Sequence, residues 1–539
     1  MNAFPCLFKP FTIPPVHLKN RITMAPLFTA YANPDGTPSD LILAHYREMA
    51  ASGVAMVVVA NASVATSGVL SRYQLRADND RFIRGLSGVA RAIRQGGAVP
   101  VLQINHGGRF ARVKKRLAPS NVPANDMEML GFLRSLFQSS PLKEQWDLLS
   151  DTVQQFSDRP KEMDAQDIEQ TIDAYAQAAR RAGEAGFDMV EIHGGTGYLP
   201  VQFLSPRTNR RRDRYGGDLK NRMRFPLELV EGVKRAVGEG FPVGYRFMAD
   251  EWTPEGFSMD EAVVLGRELA DRHMAYLSVT TGTYASLSIA EVARRYKRPG
   301  YLAEVAGQIK AAVGLPVIVA GRITTPKLAE RILQEERADL IGLARPLFAD
   351  PLWVKKALGQ KGVIVPCKDC GTCYRSAILD RGAICPQWGR AKMLKRKSMI
   401  KELRHPYARV LITMDCSEHA ALAAVYAADM LPRHKDLSVT LLHIRNDESE
   451  PDLSRIQGVL EEAQAVLVQA GISRERITIQ MRKKQEGVAR DILKEIAVGG
   501  FGTVVVGRRG VSRTEQFLFG SVSGKILQNA RNCTVWLVD

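Results

Sequence analysis

"DAYAQAARRAGEAGFDMVEIHGG", residues 173–195, holds two periodicities back to back. Its first half spaces Tyr175, Ala178, Ala179 and Ala182 three and four residues apart, the stripe of a helix with one buried side. Its second half, Met189 to Ile192, breaks that pattern with a short, largely apolar run, which ends abruptly on His193 and two glycines. A strand with few polar positions is buried on both faces, as in a parallel sheet covered by helices. The same alternation recurs outward in both directions. The runs "RITMAPL" (21–27), "AMVVVANASV" (55–64), "VPVLQINH" (99–106), "DMVEIHGG" (188–195), "PVGYRFMADE" (242–251), "YLSVTTG" (276–282), "LPVIVAG" (315–321) and "ADLIGLARP" (338–346) are separated by amphipathic stretches. Eight such units predict a TIM barrel, whose chemistry sits where the strands end. Pro26, Gln103, His193, Arg246, Gly321 and Arg345 occupy those ends.

Between the third and fourth runs, residues 107–165 make a long excursion, read as a lid over the catalytic face or as a helical flap that packs or oligomerises. Beyond the barrel a second alternation begins: "ARVLITMD" (408–415), "SVTLLHI" (438–444), "ITIQMRK" (477–483), "TVVVGRR" (503–509) and "TVWLVD" (534–539). It predicts a separate five-stranded α/β domain. The expected organisation is a barrel over 1–360, a cysteine segment over 361–390, a basic linker over 391–406 and the second domain over 407–539.

A chain of 539 residues with 45% hydrophobic content has enough apolar material for more than one core. The stretch "MNAFPCLFKPFTIPP" lacks the basic and apolar regions of a secretory signal, and no apolar run approaches the roughly 20 residues that cross a bilayer. A cytoplasmic protein without membrane contact is expected. Of the 7 cysteines, four fall within "CKDCGTCYRSAILDRGAIC", residues 367–385. That clustering suits a metal site in a reducing compartment better than a secreted disulfide framework. The formal charge of +17 is concentrated in "GRAKMLKRKSMIKELRHP", residues 389–406. The run carries no aromatic stacking residues, so it reads as a solvated helix or linker, and no nucleic-acid partner is expected.

Three blocks, "LKNRITMAP", "QINHGGR" and "EIHGGTGYLPVQFLSPRTNRRRDRYGGDLKNRMRFPLELV", resemble the Old Yellow Enzyme family of FMN-dependent oxidoreductases over roughly residues 4–360. The four-cysteine segment resembles the iron–sulfur branch of that family, which includes 2,4-dienoyl-CoA reductase and trimethylamine dehydrogenase. The spacing of Cys367, Cys370 and Cys373 lets one loop bring three thiolates to a 4Fe-4S cluster, with Cys385 as the fourth; zinc is the competing occupant. The resemblance assigns Gln103 to the flavin's pyrimidine edge, Arg246 to its N1/O2 region, Gly321 with Arg322 and Ala344 with Arg345 to its phosphate, and Pro26 and Thr29 to the side near N5. It also makes Tyr198 the proton donor to an activated C=C bond and His193 a substrate anchor. The family's second anchor, usually His or Asn, is Thr196 here. Tyr284 stands as a second acid or substrate contact. Residues 7–366 contain no cysteine, which excludes a cysteinyl flavin.

The last domain resembles a universal stress protein. "GRRGVSRTEQFLFGS" carries G-x2-G-x9-G-S through Gly507, Gly510, Gly520 and Ser521, and Asp415 matches the position near the adenosine, so the resemblance implies ATP. No G-x-G-x-x-G turn follows Cys385. Electrons are therefore expected from NAD(P)H directly, or from a ferredoxin or electron-transfer flavoprotein. The leading expectation is a homo-oligomeric ene-reductase for an unsaturated carbonyl or enoyl thioester. A dehydrogenase of amines or other reduced substrates and a non-catalytic redox and ATP sensor are the alternatives.

Overall fold

Strands buried on both faces leave no edge to water if they close on themselves, and this chain takes that solution. The computed structural model describes residues 3–124, 159–404, 408–415, 417–431, 437–445, 453–499, 501–508, 521–530 and 533–539. Among them, eight parallel strands close into a barrel in chain order: β1 (Ile22–Met24), β2 (Met56–Ser63), β3 (Val99–Asn105), β4 (Met189–Gly194), β5 (Val243–Asp250), β6 (Tyr276–Thr281), β7 (Val317–Val319) and β8 (Leu340–Leu343). Each falls inside one of the eight runs read from the sequence.

The helix before β4 spans Ala165–Glu184. Asp164 caps it, accepting from the Asp167 backbone N–H while the Asp167 carboxylate accepts from the Asp164 N–H, so two otherwise unpaired donors are satisfied. Its buried stripe includes Ile168, Tyr175, Ala178, Ala179 and Ala182. At the opposite end of the barrel from the strand C-termini, a hairpin of Phe11–Ile13 and Val16–Leu18 places Ile13 and Leu18 among Met56, Val101, Met189, Tyr276, Ile318 and Leu340. Filling that floor with apolar side chains leaves the C-terminal face for polar ones.

Residues 125–158 lie outside the described residues, and the expected lid falls largely among them. The two ends of that excursion are held together by pairing of Leu117–Ala118 with Lys161–Glu162. The basic run forms a helix, Arg390–Arg404, in which Lys392 and the buried Arg396 both reach the Glu48 carboxylate, at 2.5 and 3.1 Å.

The chain divides into two compact units, Met1–Ile400 and Lys401–Asp539. In the second, β9 (Arg409–Thr413), β10 (Ser438–Arg445), β11 (Ile477–Lys483), β12 (Thr503–Gly507) and β13 (Thr534–Val538) form a parallel sheet in the order β11-β10-β9-β12-β13. Separate apolar clusters cover its two faces, one around Leu460 and Leu441, the other around Ile492 and Val504. The strand order reverses between β9 and β12, the crevice in which such sheets bind ligands.

Candidate active site

Register brings the polar strand ends together. Gln103 on β3 lies opposite Glu191 on β4, His193 lies opposite Arg246 on β5, and Arg246 lies opposite Ser278 on β6. The Gln103 Nε2 donates to Glu191 Oε1 at 2.6 Å, the Tyr276 hydroxyl donates to Glu191 Oε2 at 3.1 Å, and Arg246 Nη1 donates to Ser278 Oγ at 2.8 Å. A carboxylate only accepts, so Glu191 fixes the Gln103 amide with its nitrogen inward and leaves the carbonyl oxygen as the acceptor for anything bound above. Burial lifts the Glu191 carboxyl above its ordinary value, and the Arg246 guanidinium and the two hydrogen bonds oppose that lift. Burial presses Arg246 down and the Glu191 charge supports it. The pair therefore hold each other's charge.

The loop after β4 sets His193 against Tyr198. Thr196 at φ 61° and Gly197 at φ 88° turn the chain back on itself, and a Cβ on Gly197 meets Thr283 at 3.2 Å, so a larger residue is strained there. The imidazole and phenol rings meet edge to face, 4.8 Å apart at 84°. The Gly195 N–H donates to His193 Nδ1 at 3.3 Å, which leaves the ring proton on Nε2. Burial, seconded by Arg246, pushes the His193 imidazole down to about 3, so it is neutral at neutral pH. Burial, then the neighbouring phenols, raises Tyr198 well above the ordinary phenol range. Its hydroxyl lies 3.0 Å from that of Tyr284.

The ends of β7 and β8 face the cysteine segment. Gly321 adopts φ 110° under the Tyr301 ring, and the Arg322 and Arg345 guanidinia both pair with the Asp369 carboxylate. Ala344 precedes the short helix that Arg345 begins. After β1, Pro26 is half-buried and Thr29 is buried, with the Thr29 carbonyl accepting from the Ala383 N–H at 2.9 Å. Cys367, Cys370, Cys373 and Cys385 line one small cavity together with Arg345 and Phe348. All four are free thiols, Cys373 and Cys385 buried and Cys370 exposed. Burial pushes the Cys373 thiol up to about 11, with Arg345 opposing and the Cys367 and Cys385 sulfurs adding to the rise. Among the described residues, no group of three or more His, Cys, Asp or Glu is placed to hold a metal ion.

In the second unit Asp415 is exposed past the end of β9 and accepts from the Ser417 hydroxyl at 2.5 Å. Gly507 ends β12 so close to the first turn of helix Glu418–Met430, which follows β9, that a Cβ meets the His419 backbone at 2.9 Å. Ser521 opens helix Ser521–Asn529. Gly510 and Gly520 lie outside the described residues. Three residues that the sequence reading passed over belong to these sites: Glu191, Asp369 and Tyr374. Glu191 was visible as a carboxylate in an apolar strand. Asp369 and Tyr374 stood in plain view between and beside the cysteines.

Residues 6–362 match the profile described as the NADH:flavin oxidoreductase / NADH oxidase family. The chain belongs to that family. Residues 406–539 match the universal stress protein family, so an oxidoreductase barrel is joined to a universal stress domain. The NADH oxidase of Thermoanaerobacter brockii is 36% identical over 377 residues, 69% of this chain and 53% of that protein. A metal reductase of Desulforamulus reducens is 37% identical over 370 residues, 68% of this chain and 50% of that one. This chain thus spans about half the length of those two relatives. An NADPH dehydrogenase of Geobacillus thermodenitrificans is 33% identical over 359 residues, 66% of this chain and 95% of its own. Among solved structures, 2-naphthoyl-CoA reductase with 2-naphthoyl-CoA superposes with TM-score 0.64 at 24% identity over 95% of this chain and 75% of that one. Histamine dehydrogenase from Rhizobium sp. gives 0.60 at 24% over 96% and 70%. These two show the fold alone. Morphinone reductase with tetrahydroNAD gives 0.52 at 26% over 66% and 90%. No helix among the described residues is long and apolar enough to cross a membrane.

Proposed function

We propose that this flavin oxidoreductase is an FMN- and iron–sulfur-dependent ene-reductase that reduces the C=C bond of an α,β-unsaturated carbonyl or enoyl thioester. The observation that carries this reading is the neutral His193 held edge to face against a protonated Tyr198, above strand ends that present Gln103 and Arg246. That donor set fits a flavin: the Gln103 carbonyl oxygen would accept from the ring's N–H edge, and Arg246 would meet the N1/O2 edge. Arg322 and Arg345, beside Gly321 and Ala344, would hold the phosphate, and Pro26 and Thr29 would line the side near N5. FMN, when bound, supplies hydride to the substrate's β-carbon.

The chain's own residues do the rest. His193 binds the substrate carbonyl oxygen through Nε2–H and draws electron density toward it. Tyr198 delivers a proton to the α-carbon, a step that needs a protonated acid at the working pH, and burial keeps the phenol protonated. The names of the NADH oxidase and NADPH dehydrogenase relatives support a nicotinamide donor.

Four free thiols lining one cavity support a 4Fe-4S cluster, which takes four cysteine thiolates. It would pass electrons to or from FMN, with a ferredoxin or electron-transfer flavoprotein as the external partner. Thiols of this kind fit a reducing cytoplasm. In the second domain, Asp415 just past the end of β9 and Gly507 at the end of β12 stand at the sheet's reversal point, which supports an adenine nucleotide held with Gly510, Gly520 and Ser521. Anaerobic titration of the cluster-loaded holoprotein with NADH and NADPH, followed by 2-cyclohexenone or crotonyl-CoA, tests the whole. Flavin bleaching by a nicotinamide and its recovery with the enoyl compound are expected. Bleaching by an amine alone, with no recovery on either enoyl compound, would replace this reading with the dehydrogenase one.

A further inference from the structure

Tyr198 does not stand alone. Its hydroxyl lies 3.0 Å from the Tyr284 hydroxyl, and Tyr284 is in turn hydrogen-bonded to the Tyr374 hydroxyl. The three phenols come from three separate parts of the chain: the loop after β4, the loop after β6, and helix Thr372–Ile378 of the cysteine segment. Tyr374 directly follows Cys373, so the segment that holds the four thiols also supplies a wall of the site. Phe110 packs edge to face on Tyr284 at 5.1 Å, and Leu70, Ile378 and Leu379 close around the group. The chain of hydroxyls therefore runs along an apolar cluster. Tyr198 is 7% exposed, whereas Tyr284 and Tyr374 are only partly buried. The charged groups facing the phenols are Arg112, near Tyr198 and Tyr284, and Arg345, near Tyr374, with the Tyr296 phenol also beside Tyr374. Arg112 is itself tied to Asp380 at 3.5 Å and to the Ile378 carbonyl at 2.9 Å.

A buried phenol that gives up its proton must recover it before the next turnover, and Tyr198 is only 7% exposed while Tyr284 beside it is more open. The geometry points to a proton relay in which Tyr374 and then Tyr284 refill Tyr198 from solvent. It rests on the reading of Tyr198 as the proton donor. In each cycle the Tyr198 O–H bond breaks as a C–H bond forms at the substrate's α-carbon, while the β-carbon receives the hydride and its electron pair from reduced flavin. The Tyr284 proton passes to the Tyr198 oxygen, the Tyr374 proton to the Tyr284 oxygen, and a proton from water or a buffer acid to Tyr374. No charge remains on the relay when the cycle closes. Tyr284 and Tyr374 act through Tyr198 and are positioning residues for its proton.

The relay separates the first turnover from later ones. Full-length holoproteins carrying Tyr284→Phe, Tyr374→Phe or Tyr198→Phe, matched to wild type in flavin and iron content, are pre-reduced and mixed with 2-cyclohexenone. With Tyr284→Phe and Tyr374→Phe, the first turnover is expected at the wild-type rate because Tyr198 still holds its proton. Steady-state turnover is expected to fall at least about tenfold with KM unchanged. Rising imidazolium concentration restores that turnover, whereas wild type does not respond. With Tyr198→Phe the first turnover itself is slow. Wild-type steady-state turnover in both Tyr284→Phe and Tyr374→Phe overturns the relay and leaves Tyr198 as the acid. Lost turnover without rescue by imidazolium overturns it as well, since the phenols then serve only as packing. An unimpaired first turnover with Tyr198→Phe defeats the function proposed above as well as the relay.

Discussion

Replacing Glu191 with Gln removes one charge from the barrel and little else. The introduced amide can still accept from Gln103 Nε2 through its oxygen and can donate to the Tyr276 oxygen, so the two bonds at 2.6 and 3.1 Å keep partners. What it cannot do is balance Arg246, whose guanidinium Glu191 supports against the cost of burial. Glu191 and Arg246 form no direct ion pair, but losing the carboxylate that supports a half-buried guanidinium costs about 3 kcal/mol, the lower end of the range for an uncompensated buried charge. The first unit spans residues 1–400, for which an unfolding entropy of roughly 2.1 cal/mol/K per residue sums to about 0.84 kcal/mol/K. A loss of about 3 kcal/mol then lowers Tm by about 3–4 °C. A second effect is separable. An amide both donates and accepts, so Gln103 is no longer held in one orientation, and FMN affinity falls by roughly the worth of one hydrogen bond, about tenfold. Thermal unfolding of the flavin-free protein and flavin-fluorescence titration measure the two effects. A Tm within 1 °C of wild type together with an unchanged FMN Kd would refute the role given to Glu191, while a changed Kd with unchanged Tm would place its action on Gln103 alone.

Three further outcomes follow from the same structure. Burial pushes His106 down to about 4 and His193 to about 3, so the unfolded chain takes up protons at 6.5 that the folded chain refuses. Stability is therefore full above pH 6.5 and falls with pH below it, by about 2 kcal/mol per group at pH 5; urea midpoints across pH 5–7.5 should show the slope, and a flat profile contradicts it. Cys373→Ser removes a buried thiol from the four-cysteine cavity. Iron content should fall with FMN retained, and a variant that keeps its full iron argues against the cluster. Asp369 occupies the two guanidinia assigned to the FMN phosphate. Asp369→Asn should tighten FMN while leaving riboflavin unchanged, and an equal change for both contradicts that assignment.

The barrel was readable from sequence because its strands are buried on both faces, so each is an apolar run ending where chemistry begins. His193 and Arg246 were legible for that reason, and the register set them directly opposite one another. Glu191 was harder to see because it sits two residues before His193 inside the same run, and its purpose appears only when Gln103 and Tyr276 close on it from neighbouring strands. Asp369 and Tyr374 lay in the stretch read for its cysteines alone. Asp369 faces arginines 47 and 24 residues away in sequence, and Tyr374 meets a phenol that no local pattern connects to it. The G-x2-G-x9-G-S motif was legible as a pattern, and the sheet places Gly507 at the end of β12 and Asp415 just past the end of the adjacent β9, at the reversal point.

The central claim is that Tyr198 protonates an enoyl substrate. Its most direct test is the oxidative half-reaction of Tyr198→Phe: pre-reduced, cluster-loaded protein mixed anaerobically with crotonyl-CoA or 2-cyclohexenone, with reduction by NADH or NADPH measured separately. The account predicts flavin reoxidation slower by about 10²–10⁴-fold with the reductive rate unchanged. Reoxidation at the wild-type rate on both substrates would contradict it.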